Sequence, residues 1–484
     1  MRAIGALFTL VFPALILGVL IGFSLAAPLG GDMLGGVLGL TGGIAGYALL
    51  WRALPRWARR VLAVLPILAL IGGGIFAYTQ LYDLGMVAPS DDYMDAYHRL
   101  YRALYNHYPY FEQKGVDWVA NYRPHAATMF EIVQRGDEAA YFRAIADLLA
   151  SLNDGHTALS DPYTQVERWF GRATHIEGQA VLTTLTETAE ANGLRVGDVL
   201  LSVNGVLTEQ AWRALPPDLR VGSTEWNQRG NAYQFLLALT PSTPTLTLEV
   251  RGADGGTRQI TLDMATPDQD SAAPQPAISS QRLPSGIGYI RVARLWEREH
   301  EDLIADFDAA LAALSDAPAI ILDLRRNGGG NSRFADQIAG RFLAEPFSYG
   351  RDVFRQRTPN HFWRAESVYT VTPHAKRYNG KLAVLIDERS VSSAEWLIAA
   401  LADSGRAQTV GRTTAGSSGN PISFPLPNGG AVRFSTGAFY RTNGQLLEGI
   451  GIAPDLPIAW TLEDVRNGRD PDLAAAERLL SGAP

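Results

Sequence analysis

The stretch Ala319-Ile320-Ile321-Leu322-Asp323-Leu324-Arg325-Arg326-Asn327-Gly328-Gly329-Gly330 is a continuous apolar run closed by a polar, glycine-rich turn. Such a run reads as a strand buried on both faces, as in a parallel sheet covered by helices. The pattern recurs on either side, at Ile287 to Val292 and at Leu382 to Ile386. Between them, Leu303, Phe307, Leu311 and Leu314 recur at helical spacing, and helices are expected from about Ser332 and through Trp396 to Leu401. Residues 285–462 are therefore expected to form an α/β core, followed by a helix and tail at 463–484. Pro427-Asn428-Gly429-Gly430 is a hairpin turn signal inside that core.

Working outward, Ala265 to Pro284 is polar and proline-rich and reads as a linker. Residues 165–264 read as short strands and turns, with Ala191 to Gly205 joining two glycine turns to an apolar strand. Residues 89–163 read as mainly helical: Met94, Tyr97, Tyr101 and Leu104 recur at three- and four-residue steps, as do Phe142, Ile145, Leu149 and Leu152.

The first 85 residues differ from the rest. Ile4 to Ala27 is an uncharged run of 24 residues, Met33 to Trp51 one of 19 and Val61 to Tyr78 one of 18. At 1.5 Å per residue the first reaches about 36 Å, enough for a hydrocarbon core of about 30 Å. Three transmembrane helices are expected, the first of which also fits a cleavable signal sequence. Arg52, Arg56, Arg59 and Arg60 lie between the second and third runs, against only Asp32 between the first and second. By the positive-inside rule the arginine loop is cytoplasmic, and everything after Tyr78 lies outside the cytoplasmic (inner) membrane, in the periplasm of a two-membrane cell.

Composition removes several classes of function. The 484 residues contain no cysteine, which excludes a disulfide scaffold, a thiolate metal site and a cysteine nucleophile. The net charge of −7 argues against a nucleic-acid partner. The 42 basic residues comprise only three lysines, Lys114, Lys376 and Lys381, and so 39 arginines.

Four short segments can carry chemistry. Ser390-Val391-Ser392-Ser393-Ala394-Glu395 lies between a buried strand and a helix, where a serine can project into a cleft beside free backbone N–H groups. Ser392 with Glu395 is equally a helix capping box. Asn327-Gly328-Gly329-Gly330 lets the backbone approach a ligand, but lacks the Gly-Lys-Ser/Thr ending of a phosphate loop. Asn153-Asp154-Gly155-His156-Thr157 places a histidine in a glycine turn, as a general base or as a solvated loop residue. Glu448, in Leu447-Glu448-Gly449-Ile450-Gly451-Ile452-Ala453-Pro454-Asp455, can orient a histidine or cap a turn.

In order, spacing and context these segments resemble the C-terminal processing peptidases, or tail-specific proteases, over about residues 89–462. Within that family the chain is similar to the branch of tricorn core domains and interphotoreceptor retinoid-binding protein modules. The resemblance implies a crotonase-like α/β (α+β) catalytic core, with Ala191 to Gly205 belonging to an inserted, mainly-β PDZ domain at 165–264. It implies Ser392 as nucleophile, and Gly329, Gly330 and Ser393 as oxyanion-hole donors. The family's lysine, 25 residues past the serine, is here Ser417. A hydroxyl is no base, so the resemblance to the tricorn-like branch assigns that role to His156, oriented by Glu448, with the usual imidazole pKa raised somewhat by the carboxylate. Ser417→Ala is expected to cost far less than His156→Ala, and the PDZ-like unit is expected to gate or feed the site without supplying chemistry.

The implied protein is a membrane-anchored serine endopeptidase acting on a protein or peptide substrate, with no cofactor and no metal. The alternative is a non-catalytic protein of the same fold that binds a peptide or an apolar ligand. The topology has a direct test. Alkaline phosphatase fused after Asp83 is expected to be active; an active cytoplasmic reporter at that point, with silent phosphatase, reverses the orientation.

Overall fold

The computed structural model describes residues 90–163, 166–267, 275–358 and 361–482. The expected membrane runs lie outside the described residues, among which no helix is long and apolar enough to cross a membrane.

The central sheet has six strands in the order Ile278–Arg282, Gly288–Val292, Ala319–Asp323, Lys381–Ile386, Gln408–Gly411 and Leu456–Pro457. The first pair is antiparallel and all later pairs are parallel. Alternation explains the unbroken apolar runs. Ile320, Leu322, Leu382, Val384 and Ile386 point into one core with Phe307, Ile338 and Leu397 from the helices Leu303–Ala313, Ser332–Gly340 and Ser393–Asp403. Ile321, Ala383, Leu385 and Val410 face the other way, against Ala475, Ala476 and Leu480 of the helix Pro471–Ser481. Both faces are dry, so both strand registers must be apolar.

Two expected boundaries are corrected. Ile278–Arg282, inside the supposed linker 265–284, is the edge strand of the sheet; only Ile278 is buried and the four polar residues after it face solvent, which hid the strand in the sequence. The helix at 471–481, expected as an appendage, covers one sheet face.

Among the described residues, three helices precede the first short strand: Tyr93–His107, Trp118–Gln134 and Glu138–Ala150. Each starts at an aspartate, Asp92, Asp117 or Asp137, whose side chain accepts a first-turn N–H. The strand Ala158–Ser160 then pairs antiparallel with Ala431–Phe434, which itself pairs with Ile422–Pro425 across the turn at Pro427–Gly429. This ladder anchors the turn bearing His156 to the far end of the chain.

Residues 171–263 form a separate six-stranded antiparallel sheet, ordered Gly171–Ile176, Gln179–Leu185, Val199–Val203, Thr245–Arg251 and Thr257–Asp263, with Val206–Leu207 also paired to Val199–Val203. It has its own core of Leu182, Leu194, Trp212, Tyr233, Leu248 and Leu262. The helix Glu225–Phe235 packs beside the edge strand Gly171–Ile176.

One arginine ties the central strand to the covering helix. Arg325 donates to Asp323 at 2.8 and 3.0 Å, to Asp470 at 2.8 Å and to Asp472 at 3.1 Å. Asp323 and Asp472 have no solvent exposure. Removing the arginine leaves Asp323 with Tyr289 and Asp472 with Arg412, and loss of one partner of a buried pair costs up to about 3–5 kcal/mol. Arg325→Ala is expected to lower the unfolding midpoint in urea by a corresponding margin; an unchanged midpoint would show that the carboxylates find other partners.

Candidate active site

The two loops that leave the carboxyl ends of Ala319–Asp323 and Lys381–Ile386 are locked together. Asp387 Oδ1 accepts the Arg326 N–H at 2.8 Å, the Asn327 carbonyl accepts the Val391 N–H at 2.9 Å, and Ser390 Oγ donates to the Leu324 carbonyl at 2.8 Å. Ligand sites in open α/β sheets form at such strand ends. Ser392 follows with φ +61° and ψ −127°, a conformation that non-glycine residues rarely hold. It stands half-buried at the start of the helix Ser393–Asp403.

The glycines of the facing loop are required by contact. A Cβ on Gly329 would lie 2.7 Å from Ser392 Cβ, and one on Gly330 would lie 2.1 Å from the Leu295 carbonyl oxygen. The Gly329 N–H donates to Asn327 Oδ1 at 2.8 Å. Ser393 is the first residue of its helix, where an N–H has no intrahelical acceptor.

Glu395 is fully buried and its carboxylate is saturated. Oε2 accepts the N–H groups of Ser392 at 3.1 Å and Ser417 at 3.0 Å; Oε1 accepts the Gly416 N–H at 2.8 Å and the Thr414 hydroxyl at 2.5 Å. The capping bond to Ser392 is therefore real, and it coexists with an exposed-turn geometry for the serine. Burial pushes the carboxyl up to about 7, against the pull of these four donors.

His156 is positioned by its own turn. Its N–H donates to Asp154 Oδ1 at 2.9 Å, Thr157 Oγ1 donates to Asp154 Oδ2 at 2.8 Å, and the Gly155 N–H donates to Ser223 Oγ at 2.8 Å. The imidazole is 2% exposed and its Nδ1 lies 2.9 Å from Ser417 Oγ. Burial, aided by the Arg433 charge and opposed by Asp154, brings it down to about 4. The expected rise above the usual imidazole value is thus reversed, because no carboxylate touches the ring.

Glu448 lies nearby but is bonded elsewhere. Its Oε1 accepts Lys114 Nζ at 2.7 Å and its Oε2 accepts the Ser418 N–H at 3.2 Å, and Ser223 is a third hydrogen-bond partner. Burial and the neighbouring Asp154 push it up to about 8, with Lys114 pulling the other way. Among the described residues no hydrogen bond joins Glu448 to His156, or His156 to Ser392 Oγ. Residue 417 links the two: its carbonyl accepts the Ser392 N–H at 2.9 Å while its hydroxyl meets the imidazole.

Ser417 thus touches both Ser392 and His156, and Glu448 lies beside it through the Ser418 N–H; four residues of this network were missed or set aside in the sequence reading. Glu395 read only as a cap and Ser417 as a vacated lysine position. Lys114 read as part of the helical region, and Ser223 carried no motif at all.

Residues 286–458 match the model of peptidase family S41. A carboxy-terminal-processing protease of Bartonella bacilliformis is 30% identical over 200 residues, 40% of this chain and 44% of that protein. A chloroplastic carboxyl-terminal-processing peptidase 3 of Arabidopsis thaliana is 26% identical over 70% of this chain and 64% of its own length. The chain thus spans less than two thirds of either relative. Mature CPAF has a similar fold, with a TM-score of 0.66 at 16% identity, covering 81% of this chain and 97% of that one. Residues 286–458 are thus similar to peptidase family S41, and the chain has a mixed α/β fold like that of mature CPAF.

Because the Glu395 carboxyl is raised on folding, the folded state holds its proton more tightly than the unfolded one. Its contribution to stability is complete below about pH 4.5 and is lost as pH rises through about 7. Glu395→Gln is expected to flatten the fall in melting temperature between pH 5 and 8, leaving the part due to Glu448, and to lower stability overall by about 1–3 kcal/mol, since an amide N–H₂ then faces backbone donors. An unaltered pH slope would place the titration elsewhere.

Proposed function

We propose that the chain is a membrane-anchored serine endopeptidase that hydrolyses peptide bonds of extracytoplasmic proteins or peptides through an acyl-enzyme on Ser392. The observation that carries this reading is the left-handed turn of Ser392 at a helix N-terminus, packed against Gly329, with a buried neutral imidazole one residue away. A hydroxyl is inert near neutrality unless a base accepts its proton. An imidazole brought down to about 4 is neutral across the physiological range and holds a free lone pair. In this mechanism Ser392 Oγ attacks the peptide carbonyl as His156 takes its proton, and His156 later delivers that proton to the leaving amine. The N–H groups of Ser393 and Gly330 hold the oxyanion, each worth about 2.7–4 kcal/mol. Glu448, next to the imidazole turn but not bonded to it, is paired with the Lys114 ammonium.

The unit at 171–263 reads as a PDZ-like peptide-binding module. Its edge strand Gly171–Ile176 and the helix Glu225–Phe235 flank a groove of about 270 Å³ lined by Ala173, His175, Trp226 and Arg229. An extended peptide adding to that edge would gain backbone hydrogen bonds there. The arginine pattern of the N-terminal region puts both units outside the cytoplasmic membrane.

Fluorophosphonate labelling and peptide hydrolysis test the assignment together. Ser392→Ala is expected to abolish both, and His156→Ala to lower kcat by about 1,000-fold or more with the fold intact. The acid limb of kcat/KM is expected near pH 4, set by His156 losing its proton. A limb between pH 6 and 7.5 would mean a solvated imidazole, and a labelled Ser392→Ala protein would move the nucleophile elsewhere.

A further inference from the structure

The peptidase reading needs a histidine with a defined tautomer, and the expected partner for that purpose, Glu448, does not reach it. A neutral imidazole has one N–H and one lone pair, so whatever faces one nitrogen decides the role of the other. Nδ1 faces Ser417 Oγ at 2.9 Å. Both residues are almost fully buried, at 2% and 1% exposure, so bulk water does not stand in for the hydroxyl. The carboxylates close by are committed. Asp154 accepts from the His156 backbone and Thr157, and Glu448 accepts from Lys114 and Ser418.

Ser417 is itself fixed from both sides. Its N–H donates to Glu395 and its carbonyl accepts from Ser392, so its hydroxyl holds a set position relative to the nucleophile. A second hydroxyl stands on the same side of the base turn. A Cβ built on Gly155 would lie 2.3 Å from Ser417 Oγ and 3.1 Å from Ser223 Oγ. Ser223 accepts the Gly155 N–H at 2.8 Å and is hydrogen-bonded to Glu448. Ser223 belongs to the inserted unit, whose adjoining residues dock on the loop before Ser417: Thr224 Oγ1 donates to the Ala415 carbonyl and Trp226 Nε1 to the Thr414 carbonyl, each at 2.9 Å.

We propose that Ser417 is the positioning residue for His156: its oxygen accepts the Nδ1–H and leaves the Nε2 lone pair as the base that takes the Ser392 proton, while Ser223 of the inserted unit holds the base turn against it. This rests on the peptidase reading. It replaces one expectation from the sequence, that the inserted unit contributes nothing to the chemistry, and gives Ser417 a defined role.

The test uses the full chain in detergent, labelled with ¹⁵N-histidine, with the His156 resonances identified by their loss in His156→Gln. The wild-type protein is expected to show the Nδ1–H tautomer, Ser417→Ala a mixture of both, and Ser417→Thr the wild-type pattern. In peptide hydrolysis, Ser417→Ala is expected to lower kcat by about 10- to 100-fold with KM little changed, a part of what a general base contributes, and Ser417→Thr to restore most of it. Gly155→Ala keeps both hydroxyls but drives a methyl into Ser417 Oγ, and is expected to reproduce the Ser417→Ala result with a lowered melting temperature. Ser223→Ala is expected to give a smaller loss of the same kind. An Nε2–H tautomer in the wild type, or wild-type kcat and tautomer in Ser417→Ala, overturns the proposal. A wild-type protein that is neither labelled by fluorophosphonate nor hydrolytic overturns the peptidase reading alone, because the tautomer measurement still decides the Ser417 contact.

Discussion

The carboxylate of Glu395 is the constraint on which the rest of the site depends. It sits at zero exposure in a helix, yet gathers donors from one distant segment, at Thr414, Gly416 and Ser417. Thr414 extends the assembly to the closing motif, since its hydroxyl accepts the Ile452 N–H at 2.8 Å and its N–H meets the Ile452 carbonyl at 3.1 Å. The Gly416 carbonyl accepts the Gly449 N–H at 2.7 Å. Nucleophile turn, central loop and closing motif therefore form one hydrogen-bonded unit. An unpaired buried carboxylate is far costlier than any of these bonds is favourable, so the group fixes its partners as firmly as they fix it.

On the other side of the cleft the organising fact is desolvation. His156 and Glu448 are both withdrawn from water, and burial acts on them in opposite senses: it disfavours the imidazolium and it disfavours the carboxylate. The structure meets the first with a neutral hydroxyl partner and the second with the Lys114 ammonium. The result is a pair of acid–base groups held close together but electrically separate, with Ser223 hydrogen-bonded to Glu448 and to the backbone of the histidine turn.

Much of this was legible in the sequence where the signal is local. The run Ala319 to Leu324 announced a strand with two dry faces, and the glycines at 329 and 330 announced close backbone approach. Ser392 was marked by its place between a buried strand and a helix. What was not legible depends on chain segments far apart. Ser417 meets His156 across 261 positions and Lys114 meets Glu448 across 334, and nothing in the neighbourhood of either residue encodes its partner. The strand Ile278–Arg282 was missed for a different reason: an edge strand with one face in solvent has little need of apolar residues. Glu395 was read correctly as a cap, but a cap signal carries no record of the three further donors that the tertiary fold brings to it.

The pairing of Ala158–Ser160 with Ala431–Phe434 has a consequence for biosynthesis. The base turn and the inserted unit leave the ribosome long before the strand that pins them, and the Glu448 segment leaves later still. A nascent chain therefore holds a histidine with no hydroxyl beside it and a serine with no base. The hydrogen-bonded network around Glu395 is complete only when translation is nearly over, because its partners at Gly449 and Ile452 are made last.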